Sequence, residues 1–272
     1  MKKMLVILLA ALMTFGCCAA LAEDAVLPQT LVMGFDSAYP PMTYTDADGE
    51  TYIGFDIELA VEVASRLGIT LEYQPINWDS KEDELGITKS IDCIWSGLTM
   101  TEALKARFAF SMPYMANEQV LVVKADSGIA TIGDVAGKKL GTQAGSSSVT
   151  VLDANPDLTD SLAGGEPYLF DDFQLALLDL ANGNLDVVLV DSVVVNFWIT
   201  QQDDPSAYTV LPDVLEGEEY GIAFRNDDAA LAEAVNQQLI AIYEDGTLDA
   251  IRAKYFANDV TVIADYADAY RK

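Results

Sequence analysis

The stretch Leu31–Leu67, LVMGFDSAYPPMTYTDADGETYIGFDIELAVEVASRL, constrains this chain more than any other. It opens with an apolar run of strand length, Leu31–Phe35, followed at once by Asp36 and the turn-rich Ser37-Ala38-Tyr39-Pro40-Pro41. A carboxylate and an aromatic ring therefore sit at a strand's carboxyl end, where open α/β sheets collect their ligands. Gly49 and Gly54 bracket a hairpin-like segment. From Asp56 the period becomes helical, with Ile57, Ala60, Val61, Ala64 and Leu67 on one face and Gly68 as the stop.

The segment GFDIELAVEVASRL resembles the signature of the substrate-binding proteins of amino-acid ABC importers, the bacterial extracellular solute-binding proteins of family 3. Gly54, Phe55, Asp56, Ile57, Glu58, Leu59, Val63, Ala64 and Leu67 carry the likeness, which extends over nearly all of the chain after residue 30. The resemblance implies an α/β fold of the type II periplasmic-binding-protein class. It has two lobes, each a mixed sheet flanked by helices, joined by two crossover strands. Residues 1–22 then read as a signal peptide, 23–117 as the first part of lobe one, 118–218 as lobe two and 219–272 as the return to lobe one.

Charge and composition narrow the function independently. Across 272 residues there are 15 Lys+Arg against 43 Asp+Glu, a formal net charge of −28. Nucleic acid and anionic lipid, which need a basic footprint, are excluded as partners. The absence of histidine removes Ser-His-Asp and Cys-His catalysis and the common zinc sites. Two of the three cysteines, Cys17 and Cys18, lie in the N-terminal segment, and Cys93 reads as a small core residue.

That N-terminal segment has the form of an export signal: Lys2 and Lys3, an apolar core Met4–Phe15, and Ala20-Leu21-Ala22 as a small-x-small cleavage site. Cleavage after Ala22 is expected, with lipid anchoring at Cys17 or Cys18 as the alternative. Either places the protein outside the cytoplasmic membrane, in the periplasm or on its extracellular face.

Candidate binding residues recur at strand ends and helix starts. Trp78 follows a strand-like Thr70–Ile76; relatives carry an aromatic lid there, and a helix is expected over Ser80–Ser90. The buried strand Ile91–Trp95 ends in Ser96-Gly97-Leu98-Thr99, with hydroxyls on Ser96 and Thr99 and a close backbone approach at Gly97. In the second half, Gln143 precedes Ala144-Gly145-Ser146-Ser147-Ser148. Serines after a glycine that open a helix offer free N–H groups, and the resemblance implies a carboxylate site at Ser146 and Ser147. Leu185–Val190 ends in Asp191, an ammonium partner by the same resemblance. The sequence Ile91-Asp92-Cys93-Ile94-Trp95-Ser96 shares its order, apolar, Asp, apolar run, polar end, with Leu185–Asp191. Two lobes built alike and facing each other are expected. Gln119–Lys124 and Tyr220–Arg225 read as the crossovers, Ala229–Tyr243 and Leu248–Phe256 as closing helices.

One departure stands out. Relatives place an arginine three residues after the Thr101 position to grip the ligand's α-carboxylate in a two-pronged bond; this chain has Leu104. Lys105 or Arg107 reaching round, a grip from the other lobe alone, or a ligand that is not a standard α-amino acid would each accommodate it.

The function implied is capture of a small polar solute, an amino acid above all, by hinge closure and its delivery to an ABC permease. A monomer without cofactor, metal or catalytic residues is expected. Two readings compete: an enzyme on the same fold resembling cyclohexadienyl dehydratase, with Glu82 or Glu102 as acid/base group, and a ligand-binding sensory subunit.

Overall fold

The computed structural model describes residues 27–272; the expected signal segment, with Cys17, Cys18 and Ala22, lies outside the described residues. Twelve strands form: β1 (Thr30–Phe35), β2 (Ala38–Tyr39), β3 (Thr43–Thr45), β4 (Tyr52–Ile53), β5 (Thr70–Pro75), β6 (Cys93–Thr99), β7 (Ala109–Phe110), β8 (Met115–Lys124), β9 (Leu140–Gln143), β10 (Tyr168–Phe170), β11 (Val187–Asp191) and β12 (Tyr208–Phe224). Strands β2, β3 and β4 make a small antiparallel sheet. The rest join in the order β10-β9-β11-β8-β12-β6-β1-β5, with β7 also on β12.

Both ends of this sheet are parallel, β5-β1-β6 in one lobe and β10-β9-β11 in the other. The long β8 and β12 pair antiparallel to each other and join them, β8 to β11 and β12 to β6. These are the two crossover strands of a two-lobe fold. The second begins earlier than the apolar pattern from Tyr220 suggests, since β12 runs from Tyr208 and changes partner from β8 to β6 at Tyr220.

The two lobes use the same local device. Strands β6 and β11 are buried on both faces, as parallel strands between helical layers must be. Cys93 and Trp95 pack into one cluster while Ile94 packs into another, and Val188 and Val190 alternate likewise with Val187 and Leu189. At the start of each strand an aspartate turns back to the neighbouring strand. Asp92 accepts the Val32 N–H at 2.9 Å, and Asp186 accepts the Lys139 N–H at 2.9 Å. Each then delivers its polar carboxyl end to the gap between the lobes.

The helix Phe55–Leu67 covers the β1 side and ends at Gly68 with φ of 68°. Its inward stripe keeps Ile57, Ala60 and Ala64 of the expected face and is rotated to take in Leu59, Val63 and Asp56, whereas Val61 is 47% exposed. Burial of Asp56 accounts for the rotation, because its Oδ2 takes hydrogen bonds from the Gly97 N–H (2.8 Å) and the Tyr114 hydroxyl (2.9 Å) deep in lobe one. The expected helix after Trp78 forms as three short turns, Trp78–Ser80, Lys81–Asp83 and Glu84–Thr88. Ala229–Glu244 and Thr247–Tyr255 are helices of lobe one, as their apolar spacing predicts, followed by Ile263–Tyr270.

Candidate functional site

A cavity of about 1190 Å³ lies between the lobes. Tyr39, Trp78, Gly97 and Thr99 enter its wall from lobe one, and Gln143, Ser146, Ser147 and Asp191 from lobe two. Its floor is the pair of crossover strands. Asn117 and Gln119 on β8 share a side of the ladder with Glu218 and Tyr220 on β12, because alternate residues of a strand point the same way.

That floor is held together by carboxylates. Asp191 Oδ1 accepts from Asn117 Nδ2 (2.5 Å), Gln119 Nε2 (2.8 Å) and the Tyr220 hydroxyl (2.7 Å). Tyr220 in turn accepts from the Tyr39 hydroxyl at 2.8 Å. The same two amides also donate to Glu218 Oε1, from Asn117 at 2.6 Å and Gln119 at 2.9 Å, and the Ser147 hydroxyl lies 3.4 Å from it. Burial raises the Asp191 carboxyl well above its ordinary range, and the charge of Glu218 beside it raises it further. Desolvation likewise keeps the Tyr39 and Tyr220 hydroxyls protonated.

Gly97 shows how tightly the lobe-one wall is drawn. Its φ is +55°, and a Cβ there would stand 2.6 Å from Tyr39 Cε1 and 3.1 Å from Tyr220 Cε2. Only glycine fits such a position without strain. Asp56 fixes this turn through the Gly97 N–H, at the cost of a carboxyl whose pKa burial raises to about 7. Trp78 is 8% exposed and carries the Lys81 ammonium 4.9 Å from its ring centroid.

Contacts cross the gap. Gln143 Nε2 donates to Asp36 Oδ2 at 2.7 Å, and Lys81 Nζ donates to the Gly145 carbonyl at 2.5 Å. Gly145 (φ +67°) comes so close that a Cβ would meet Asp79 Cα at 2.7 Å. The lobes are thus drawn together around the cavity.

Two expected binding residues stand behind the wall. Asp36 accepts the Ala38 N–H at Oδ1 and Gln143 at Oδ2, so it ties the lobes and does not line the cavity. Ser96 is 1% exposed, its hydroxyl between the Asp36 N–H and Thr43. Ser146 lines the cavity but donates to the Gln143 carbonyl, and Ser148 donates to Gln119 Oε1.

Leu104 packs with Trp78, Leu98 and Phe108 at the cavity edge. Lys105 pairs with Glu102 at 3.1 Å and Arg107 pairs with Glu82, both at the exposed edge of the cavity. Sequence reasoning passed over Glu218, Asn117, Gln119 and Asp56. Period-two alternation along Glu216-Gly217-Glu218-Glu219-Tyr220 was the available signal once the strand was extended upstream.

A two-lobe sheet with a polar cleft at its crossover strands is shared by proteins of many ligands, and comparison with known proteins decides the family. The model for bacterial extracellular solute-binding proteins, family 3, matches residues 31–258. The chain belongs to this family. Among its relatives, the L-cystine-binding protein TcyJ of Escherichia coli is 32% identical over 85% of this chain and 84% of its own length. The ABC transporter arginine-binding protein 1 of Escherichia coli is 30% identical over 94% of this chain and 99% of its own length. A solved structure of an ABC uptake transporter substrate-binding protein from Streptococcus pneumoniae with bound histidine is 40% identical. It covers 86% of this chain and 95% of its own, with a TM-score of 0.83. No helix among the described residues of this family 3 protein is long and apolar enough to cross a membrane.

Proposed function

We propose that the protein is an extracytoplasmic receptor that captures a small solute of the amino-acid type between its lobes and presents the closed form to an ABC permease. The observation that carries the reading is the buried Asp191 in the cleft, an acceptor for a solute ammonium, with groups from both lobes around the same cavity. Because both lobes contribute, a bound solute favours the closed arrangement over the open one. The relatives with cystine, arginine and histidine as their ligands support an amino-acid class.

In this reading Tyr39, Trp78, Thr99, Gln143 and Ser147 enclose the solute, Asp36 and Ser96 hold the wall, and Gly97 lets Tyr39 approach. Lobe one comprises 23–117 and 219–272 and lobe two 118–218, the chain working as a monomer after removal of residues 1–22 or lipidation at Cys17 or Cys18. An enzyme reading loses support because its candidate acids, Glu82 and Glu102, are paired with Arg107 and Lys105.

Calorimetry of the mature protein against the common amino acids tests the proposal. Binding near micromolar, about 8 kcal/mol, is expected for at least one. No heat for any of them, with no thermal shift, would overturn the amino-acid assignment, and turnover of prephenate or arogenate would overturn the non-enzymatic one.

A further inference from the structure

The charges around the cavity are not balanced. Among the described residues three basic side chains reach its wall, and all three are engaged. Lys105 pairs with Glu102 and Arg107 with Glu82, while Lys81 donates to the carbonyls of Trp78 (3.2 Å) and Gly145 (2.5 Å). The position beside Thr101 that could present a fork to a carboxylate is Leu104, 8% exposed and packed in an apolar cluster.

On the floor of the cavity the side-chain amides are turned toward the protein's own acids. Asn117 and Gln119 divide their amide protons between Asp191 and Glu218, and Ser147 offers its hydroxyl to Glu218. Glu218 therefore stands at the start of the helix Ser147–Ala154, where the dipole favours negative charge. Asp191 is only 3% exposed, yet no N–H or O–H among the described residues donates to its Oδ2. That oxygen faces the cavity, where a cation placed beside it completes the partners of the carboxylate.

We propose that the cleft recognises its solute as a cation held jointly by Asp191 and Glu218, and that Glu218 takes the place at the start of Ser147–Ala154 where a solute carboxylate would otherwise sit. The solute class is then an amine or a basic amino acid recognised by its positive groups, with little contribution from an α-carboxylate. This inference rests on the cleft being the solute site, as proposed above.

Matched pairs test it: arginine with agmatine, lysine with cadaverine, and histidine with histamine, each titrated calorimetrically into the mature protein. At least one amine is expected to bind within threefold of its parent amino acid, or more tightly. Glu218→Gln is expected to weaken that amine tenfold or more and to shift the ratio of amine to amino-acid affinity at least tenfold toward the amino acid. That shift in preference would not follow from a loss of folding, and the melting temperature of the variant checks it independently. If amino acids bind and every amine is tenfold or more weaker, the receptor reading stands and this inference falls. An unchanged preference in Glu218→Gln also overturns it. If no member of either set binds while another common amino acid does, this inference alone falls; if no common amino acid binds at all, both readings fall.

Discussion

Tyr220 donates its hydroxyl to Asp191 across 2.7 Å, from the residue where β12 leaves β8 for β6. The acceptor that faces the solute is thereby attached to the hinge. In the proposed binding mode this bond links the solute's acceptor to the strands that join the lobes.

Asp191→Ala removes the buried acceptor and leaves Asn117, Gln119 and Tyr220 without their partner. An ionic hydrogen bond contributes about 1.5–3 kcal/mol. Calorimetry is expected to record at least a tenfold loss of affinity for an ammonium-bearing solute. An unchanged dissociation constant would reduce Asp191 to a structural role. Tyr220→Phe, which removes one neutral donor, should cost less, about three- to tenfold.

Affinity for a cation should increase with pH. The Asp191 carboxyl, raised by burial and by Glu218, must lose its proton to complete the pair. Its other neighbours on the floor, Tyr39, Tyr220, Asn117 and Gln119, are neutral, so they do not offset the change. Below its folded pKa the proton competes with the solute; above it the competition ends. Titrations from pH 5 to pH 8, run in buffers of unlike ionisation enthalpy, should show tighter binding as pH rises and proton release in the lower range. Affinity independent of pH would contradict this.

Stability should move the other way. Burial raises Asp36 to about 6 and Asp56 to about 7, both above the ordinary 3.8. Since the folded form holds these protons more firmly, their contribution is full below the unfolded pKa and is lost as pH rises through the folded values. For Asp56 alone the shift corresponds to about 4 kcal/mol at most, at about 1.36 kcal/mol per unit. Scanning calorimetry should find the melting temperature falling between pH 5 and pH 8. The isosteric Asp56→Asn should flatten that slope; a variant with the same slope as wild type would place its origin elsewhere.

Gly145→Ala tests closure directly. Its Cβ would meet Asp79 Cα at 2.7 Å, and its φ of +67° is costly for a side chain, about 1–2 kcal/mol. Small-angle scattering with saturating solute should show wild type compacting and the variant remaining more extended, with weaker binding. Equal compaction in both would show that the lobes have room there.

Much of the architecture was legible along the chain because it is written in short-range terms. The strand Leu31–Phe35, the helix after Gly54, and the parallel strands ending at Ser96 and Asp191 all follow from local apolar spacing and turn chemistry. The clustering of Tyr39, Trp78, Gln143, Ser147 and Asp191 around one cavity followed from the family signature.

What remained hidden depends on which strand lies beside which, and in what register. Asp36 accepts from Gln143, a residue 107 positions away, so that bond forms only when the lobes meet. Val61 turns outward because Asp56 is drawn inward by Gly97 and Tyr114. Glu218 reaches Asn117 only through the pairing of β12 with β8, after two register shifts that no local pattern encodes. Periodicity reveals which face of an element seeks burial, since that depends on backbone geometry a few residues long. The partner that satisfies a buried charge is chosen by long-range packing, and in this protein that choice sets the character of the cleft.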